Sequence, residues 1–400
     1  MNQGDGPLRL LFIADGRSPI TENWLRYLVN VGHAVHLVST YPCAPDFDLS
    51  SLHILPVAFG DLAGETKNQS QANSSQAGRS RQVVRNAVPV SARTHLRQWL
   101  GPLSLPAVVP ALQKISEEIQ PDLVHALRIP YEGMLAALAD LPAPLIISVW
   151  GNDFTLHAGS TPLTRRYTRN ALQKAVGLQV DCYRDLRLAR QWGYSKSGPS
   201  LIVPTAGGIQ TDVFYPAPVV TAPAIINPRG FRAYVNNEAF FKSIPLVLNR
   251  HPDANFLCPS MESEGRAQKW ITRLGIEHSV NLLPRQSRTQ MANLFRSSQV
   301  VVSPTTHDGT PNTLLEAMAC GCFPVVGDLE SLREWILPGV NGVLVNPGDP
   351  GALAQAVNRA LEDDGLRKQA AEYNVRLISE QAEYNLVMSK VVGFYRAAAG

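Results

Sequence analysis

"VVVSPTTHDGTPNTLLEAMACGCFPVV", residues 300–326, decides how the rest of the chain is read. It opens on a β-branched run, passes through a polar turn, continues in helix-favouring residues and closes on a second apolar run. Strand, loop, helix and strand in that order form the unit from which parallel sheets are built. Thr310-Pro311 reads as an N-cap with proline at the first helical position, so the helix is expected from Pro311 to about Ala319, ending at Gly321. Its N-terminus would offer free N–H groups and positive dipole density to phosphate oxygens. Between Gly309 and Gly327 the only carboxylate is Glu316, among Leu314, Leu315, Ala317, Met318, Ala319 and Cys320. A carboxylate in such surroundings is costly without a hydrogen-bonding mate. Two mates fit: an arginine on a neighbouring element, or a pair of ribose hydroxyls donating together. Asp308 has two readings as well, a charge stabilising the helix N-terminus or a ligand contact.

The same alternation extends in both directions. Strands are expected at Leu8–Ala14, Ala34–Ser39, His53–Val57, Leu123–His125, Leu145–Val149, Gly177–Val180 and Leu201–Val203. A second series runs through Ala224–Ile226, Asn255–Cys258, Val280–Leu283, Val300–Ser303, Phe323–Val326 and Val343–Val345. Strands alternating with helical patterns call for parallel sheets covered on both faces. The Pro-rich stretch "FYPAPVVTAPA" (214–224) parts the series, giving an α/β protein of two doubly wound, Rossmann-like domains. The domains are placed at 1–215 and 216–375, with 65–92 a mobile loop and 376–400 a C-terminal helix returning to the first domain. Ligands in this architecture sit at the carboxyl ends of the strands, here in the cleft between domains.

Composition narrows the function. At 400 residues the chain exceeds one hydrophobic core, and 45% hydrophobic with 17% charged residues is a globular balance. A net charge of +3 is too small for a general nucleic-acid binder. Five cysteines without a pairing pattern argue for a reducing compartment, and Cys320-Gly-Cys322 lacks the second pair or His cluster of a metal hook. The opening "MNQGDGPLRLLFIADG" reads as a strand rather than a signal peptide, and no run suits a transmembrane helix. The expected location is cytoplasmic, free or peripheral at the inner face of the membrane.

That peripheral reading rests on a charge asymmetry. No Asp or Glu falls between Thr66 and Ser116, whereas Lys67, Arg79, Arg81, Arg85, Arg93, Arg97 and Lys114 do. Leu96, Trp99 and Leu100 are spaced to share a helical face beside them. The basic segment 79–97 is either a surface for anionic lipid headgroups or a phosphorylated acceptor, or a solvated loop leading into a helix.

At residues 303–345 the sequence resembles the donor-binding region of retaining GT-B glycosyltransferases of family GT4. Their signature is two acidic residues separated by seven, then Ala-Met-Ala, a glycine and a Pro-Val-Val strand; here the acids are Asp308 and Glu316. "PDLVHAL", "APLIISVWGND" and "LIVPTAGGIQTDVFYP" resemble further family landmarks in the expected order. The resemblance implies that Glu316 binds the nucleotide ribose and Asp308 faces the donor sugar. Gly309, Thr310 and Pro311 would lie against sugar and diphosphate, and Thr313 and Leu314 would offer backbone N–H groups to the phosphates. Arg229 in "INPRGFRAY" matches a family arginine on the donor phosphates, and Arg232 takes the place of a lysine; Leu283 and Arg285 would line the base pocket. Gly16 and Arg17 stand at the first-strand loop. Trp150 replaces a family histidine, which leaves Trp150, Asn152 and Asp153 as acceptor-side candidates, with His125 and His157 as substitute imidazoles.

The implied reaction is sugar transfer with retention, from a UDP- or GDP-linked donor to a glycan, lipid-linked or small-molecule hydroxyl, as in polysaccharide biosynthesis. Neither a metal nor a resident cofactor is expected, since no Asp-X-Asp occurs near a strand end and the isolated His and Asp residues lack ligand spacing. Arg229, Arg232 and the helix after Thr310 would carry the electrostatic stabilisation. A silent nucleotide-binding subunit and a sugar-nucleotide epimerase are the competing readings.

Overall fold

The computed structural model describes residues 6–57, 90–217 and 223–400, with the backbone alone over 90–98. Two compact units emerge. The first comprises Met1–Val180, Asp185–Ile202 and Val391–Gly400, and the second comprises Asp181–Arg184 and Val203–Lys390.

In the first unit the order is β1 (Arg9–Ala14), α1 (Pro19–Asn30), β2 (Ala34–Ser39), β3 (Ser51–Ile54), α2 (Val90–Ile119) and β4 (Leu123–Ala126). Then come α3 (Met134–Ala139), β5 (Leu145–Val149), α4 (Pro162–Lys174), β6 (Gly177–Val180), α5 (Tyr183–Trp192) and β7 (Ser200–Ile202). Its 7-stranded sheet runs β3-β2-β1-β4-β5-β6-β7, with every pairing parallel. Strands β4, β5 and β6 are buried at every position, because helices cover both faces.

The second unit repeats the scheme with β8 (Ala224–Ile226), α6 (Asn237–Leu248), β9 (Asn255–Pro259), α7 (Gly265–Leu274), β10 (Val280–Leu283) and α8 (Arg288–Arg296). It continues through β11 (Val300–Ser303), α9 (Asn312–Ala319), β12 (Phe323–Gly327), β13 (Val343–Val345), α10 (Pro350–Glu362), α11 (Asp364–Gln381) and the first half of α12 (Tyr384–Ala399), whose residues from Val391 belong to the first unit. The 6-stranded sheet runs β10-β9-β8-β11-β12-β13, again parallel throughout. In each sheet the strand order reverses between a first strand and the fourth: β1 lies beside β4, and β8 beside β11. Loops leaving the carboxyl ends of those pairs diverge to opposite faces and leave a crevice for a ligand.

Each expected strand is present, within two or three residues at its ends. The units divide earlier than the Pro-rich stretch suggested, because Ile209 and Phe214 are buried in a core of the second unit with Phe295, Leu315 and Met318. The expected C-terminal helix is two helices. The chain breaks at Ala382, whose carbonyl accepts from Ile209 N–H while Tyr384 N–H donates to the Ile209 carbonyl. In the first unit, Tyr395 of α12 is buried with Phe12, Trp24 and His125.

The basic segment 79–97 and the loop at 65–92 lie outside the described residues, save for a helical backbone from Val90. Farther along α2, Trp99 and Leu100 are exposed. Among the described residues no helix is long and apolar enough to cross a membrane.

Candidate functional site

The second unit's site is built on two loops from neighbouring strands. After β8, Asn227 and Asn237 are buried and hydrogen-bonded to each other, Nδ2 to Oδ1 at 3.1 Å. Asn227 Oδ1 also accepts from Arg229 N–H at 3.2 Å, and Asn237 Nδ2 donates to the Gly230 carbonyl at 3.1 Å. Gly230 has φ +62, a conformation a side chain would resist. Phe231 then stacks on Trp270 with ring centroids 5.7 Å apart. This anchoring aims Arg229 at the loop after β11. Its Nη2 donates to Asp308 Oδ2 at 2.5 Å and its Nη1 to Thr313 Oγ1 at 3.2 Å. Arg232 stays exposed and donates to the Arg229 carbonyl and the Tyr234 hydroxyl.

Asp308 is largely enclosed. Burial lifts its carboxyl above the usual range against the opposing pull of Arg229, Arg232, Arg184 and the Gly309 N–H. Thr310 does not cap the helix. Its buried hydroxyl donates to the Asp181 carbonyl at 2.8 Å and accepts from Trp335 Nε1 at 3.1 Å. Pro311 is the N-cap residue instead and supplies no side-chain bond, so α9 starts at Asn312. The Pro311 carbonyl takes the N–H of Leu314 at 3.0 Å, so the expected phosphate donor at Leu314 is already engaged. No described backbone carbonyl takes the N–H groups of Asn312 and Thr313.

Glu316 lies one turn further along α9. None of the described side chains hydrogen-bonds or ion-pairs with it; Arg288 and Arg229 act only through their field, and burial pushes its carboxyl up to about 7. The arginine-partner reading is therefore not what the structure shows. Arg229 Nε and Asn312 Oδ1 are also buried without partners. Glu316 itself is half-buried, and buried polar groups left unpaired like these two are uncommon in native interiors. Leu283 is half-buried and Arg285 exposed at the end of β10.

The first-unit candidates divide differently. Gly16 packs so close to Cys43 and Ser39 that a Cβ would collide with the Cys43 sulfur. Arg17 is held by Asp15, Nη2 to Oδ2 at 2.9 Å, and its guanidinium stacks 3.6 Å from the Tyr41 ring centroid. Asp153 is not an open acceptor-side carboxylate: it is fully buried, accepts from Arg128 Nε at 2.9 Å and from Trp150 N–H at 3.0 Å. Asn152 also accepts from Arg128, at 3.1 Å. Together they brace Arg128 5.0 Å from the Trp150 ring centroid, and Trp150 Nε1 has no partner. His125 is a core residue, 1% exposed, between Tyr395 Oη at 2.5 Å and Ser148 Oγ at 2.9 Å. Burial drops its pKa to about 3, so it stays neutral. His157 is half-buried in a short turn following Asp153. Arg128, Arg184 and Ser331 were not singled out from sequence; an isolated Arg or Ser outside a motif carries no positional signal.

Among the described residues no three His, Cys, Asp or Glu side chains converge as a metal-ligand set.

Comparison with known proteins agrees with this fold. The family Glycosyl transferases group 1 matches residues 221–376, and the Glycosyl transferase 4-like domain matches residues 16–204. An uncharacterized glycosyltransferase of Methanocaldococcus jannaschii is 28% identical over 161 residues, 40% of this chain and 41% of the relative. A D-inositol 3-phosphate glycosyltransferase of Salinispora arenicola is 34% identical over 99 residues, 25% of this chain and 22% of the relative. The chain thus matches less than half the length of these curated relatives. Among solved structures, sucrose-phosphate synthase from Thermosynechococcus elongatus superposes with TM-score 0.72 at 16% identity, covering 97% of this chain and 98% of that one. Anabaena HepE, solved with UDP and glucose, superposes with TM-score 0.71 at 14% identity, covering 98% and 100%. At these identities the structural likeness speaks for the fold, which is GT-B. The two family matches together span most of the sequence, so the chain is built of a Glycosyl transferase 4-like domain followed by a Glycosyl transferases group 1 domain.

Proposed function

We propose that the protein is a retaining glycosyltransferase that takes its sugar from a uridine-diphosphate-linked donor without a metal or resident cofactor. The observation that carries the reading is the unpartnered Glu316 carboxylate on α9, one turn beyond free backbone N–H groups and beside Arg229. A nucleoside diphosphate satisfies all of these at once: ribose hydroxyls donate to Glu316, and phosphate oxygens accept from the helix N-terminus and Arg229. Asp308 and Gly309 then stand at the sugar end. Uridine is preferred because Anabaena HepE, of the same fold, was solved with UDP and with UDP-glucose.

In the chemical step the diphosphate leaves as an anion, and Arg229 with the α9 N-terminus stabilises the charge that develops on it. The leaving phosphate oxygen takes the proton of the acceptor hydroxyl on the same face, so no protein nucleophile is needed. The acceptor is a hydroxyl of a glycan, a lipid-linked sugar or a small polyol, recognised by the strand ends of the first unit around Trp150. We place the reaction in the cytoplasm.

The test is calorimetric titration of UDP, GDP and ADP without metal, against wild type and Glu316→Ala. Micromolar binding of UDP, weakened about tenfold in the variant (about 1.4 kcal/mol), supports the reading. Binding of none of the three overturns it. Product NMR then decides the anomer, and an inverted linkage or a strict requirement for added divalent metal would refute the mechanism.

A further inference from the structure

Four residues running from the end of β6 into the first turn of α5, Asp181–Arg184, group with the second unit. Their grip is specific. Thr205 N–H donates to Asp181 Oδ1 at 2.8 Å, and the Thr310 hydroxyl donates to the Asp181 carbonyl at 2.8 Å. Glu334 accepts from the N–H groups of Tyr183 at 3.0 Å and Arg184 at 3.2 Å. The Arg184 side chain, 7% exposed, sends Nη1 to the Asp308 carbonyl at 2.6 Å, and Ser331 Oγ donates to that same oxygen at 2.7 Å.

A peptide is planar, and its C=O and following N–H point in opposite directions. Two donors pulling on the carbonyl of Asp308 therefore set the direction of the Gly309 N–H. That N–H adds to the pull that favours the ionised Asp308 carboxylate. We infer that Arg184, assisted by Ser331, is a positioning residue for the sugar end of the donor site, acting through the Asp308–Gly309 peptide. The inference rests on the glycosyltransferase reading above. The Arg184 guanidinium bonds to the Asp308 carbonyl and to Ser331 Oγ, on the Asp308–Gly309 side of the site, so its loss falls on the sugar rather than on the nucleotide.

The experiment compares Arg184→Gln, Arg184→Lys and Ser331→Ala with wild type. UDP affinity is measured by calorimetry. Turnover is measured with whichever of UDP-glucose, UDP-galactose and UDP-N-acetylglucosamine the wild type hydrolyses fastest. Arg184→Gln is expected to lose about thirtyfold in kcat while its UDP affinity stays within about threefold, a kcat effect of about 2 kcal/mol. Arg184→Lys, which keeps one donor and the charge, recovers about tenfold of that loss. Ser331→Ala loses about threefold in kcat with UDP affinity unchanged, one hydrogen bond's worth. Equal losses in UDP affinity and kcat, or no loss of kcat in any variant, would overturn the inference. Should Arg184→Gln fail to fold, Ser331→Ala decides by the same split. A wild type that binds UDP but shows no effect in the variants refutes this inference alone; a wild type without turnover removes the function and this inference together.

Discussion

Arg229 Nη2 and Asp308 Oδ2 lie 2.5 Å apart although 79 positions separate them in sequence. The pairing exists because β8 and β11 are neighbours, so the loops leaving them meet. Both side chains are largely enclosed, 10% and 16% exposed. The pair holds the two loops together and keeps a guanidinium and a carboxylate ready beside the α9 N-terminus.

Breaking that pair from one side leaves a buried charge alone. Asp308→Ala is expected to destabilise the protein by about 3 kcal/mol, and Arg229→Met by a similar amount. The double variant should cost clearly less than the two singles summed, because neither charge is then stranded. Urea denaturation of the four proteins measures the cycle; strict additivity would mean the contact contributes nothing. UDP binding should be lost in both variants lacking Arg229 and largely kept in Asp308→Ala.

Glu316 links stability to pH in an unusual direction. Its carboxyl is raised from 4.5 to about 7 in the folded chain. Below about pH 4.5 both states are protonated and nothing is lost. As pH rises to 7, the unfolded chain releases the proton before the folded one does, so stability falls and then levels off. The total is at most about 3 kcal/mol. Glu316→Gln should therefore melt above wild type near pH 8 and level with it near pH 4.5, while binding UDP more weakly. Wild-type UDP affinity should fall as pH drops below about 7, with the glutamine variant flat over that range. A glutamine variant less stable than wild type near pH 8 would count against a half-buried carboxylate without a partner.

His125 is expected to matter for folding and not for turnover. Neutral when folded, with a pKa near 3 against 6.5 in its ordinary state, it contributes stability above pH 6.5 that is lost as pH falls toward 3. His125→Ala should cost about 3 kcal/mol through the cavity and the stranded Tyr395 hydroxyl. The folded fraction should keep its specific activity. A selective fall in kcat with unchanged melting would restore the imidazole to the acceptor side.

Gly16→Ala should destabilise by about 2 kcal/mol, because a Cβ there meets the Cys43 sulfur and, at 2.9 Å, Ser39 Oγ. Adding Cys43→Ala should restore part of the loss by clearing the nearer obstacle. Thermal melts of the single and double variants decide it, and an unrelieved double variant would point to the backbone of the first loop instead.

Sequence determined the alternation of strands and helices, because short β-branched runs bounded by turns leave little choice of local structure. It also placed Asp308 and Glu316 on one strand–loop–helix unit, since their spacing is local. Roles that depend on distant neighbours were decided only by tertiary structure. Asp153 reads as an open acid until Arg128 and the Trp150 N–H are found against it. Thr310 reads as a cap until its hydroxyl turns to Asp181, 129 positions away. His125 reads as a site residue until β4 is seen buried between β1 and β5. A residue's type and its near neighbours fix which bonds it can make, but burial and long-range pairing select the one it makes, and those depend on strand order.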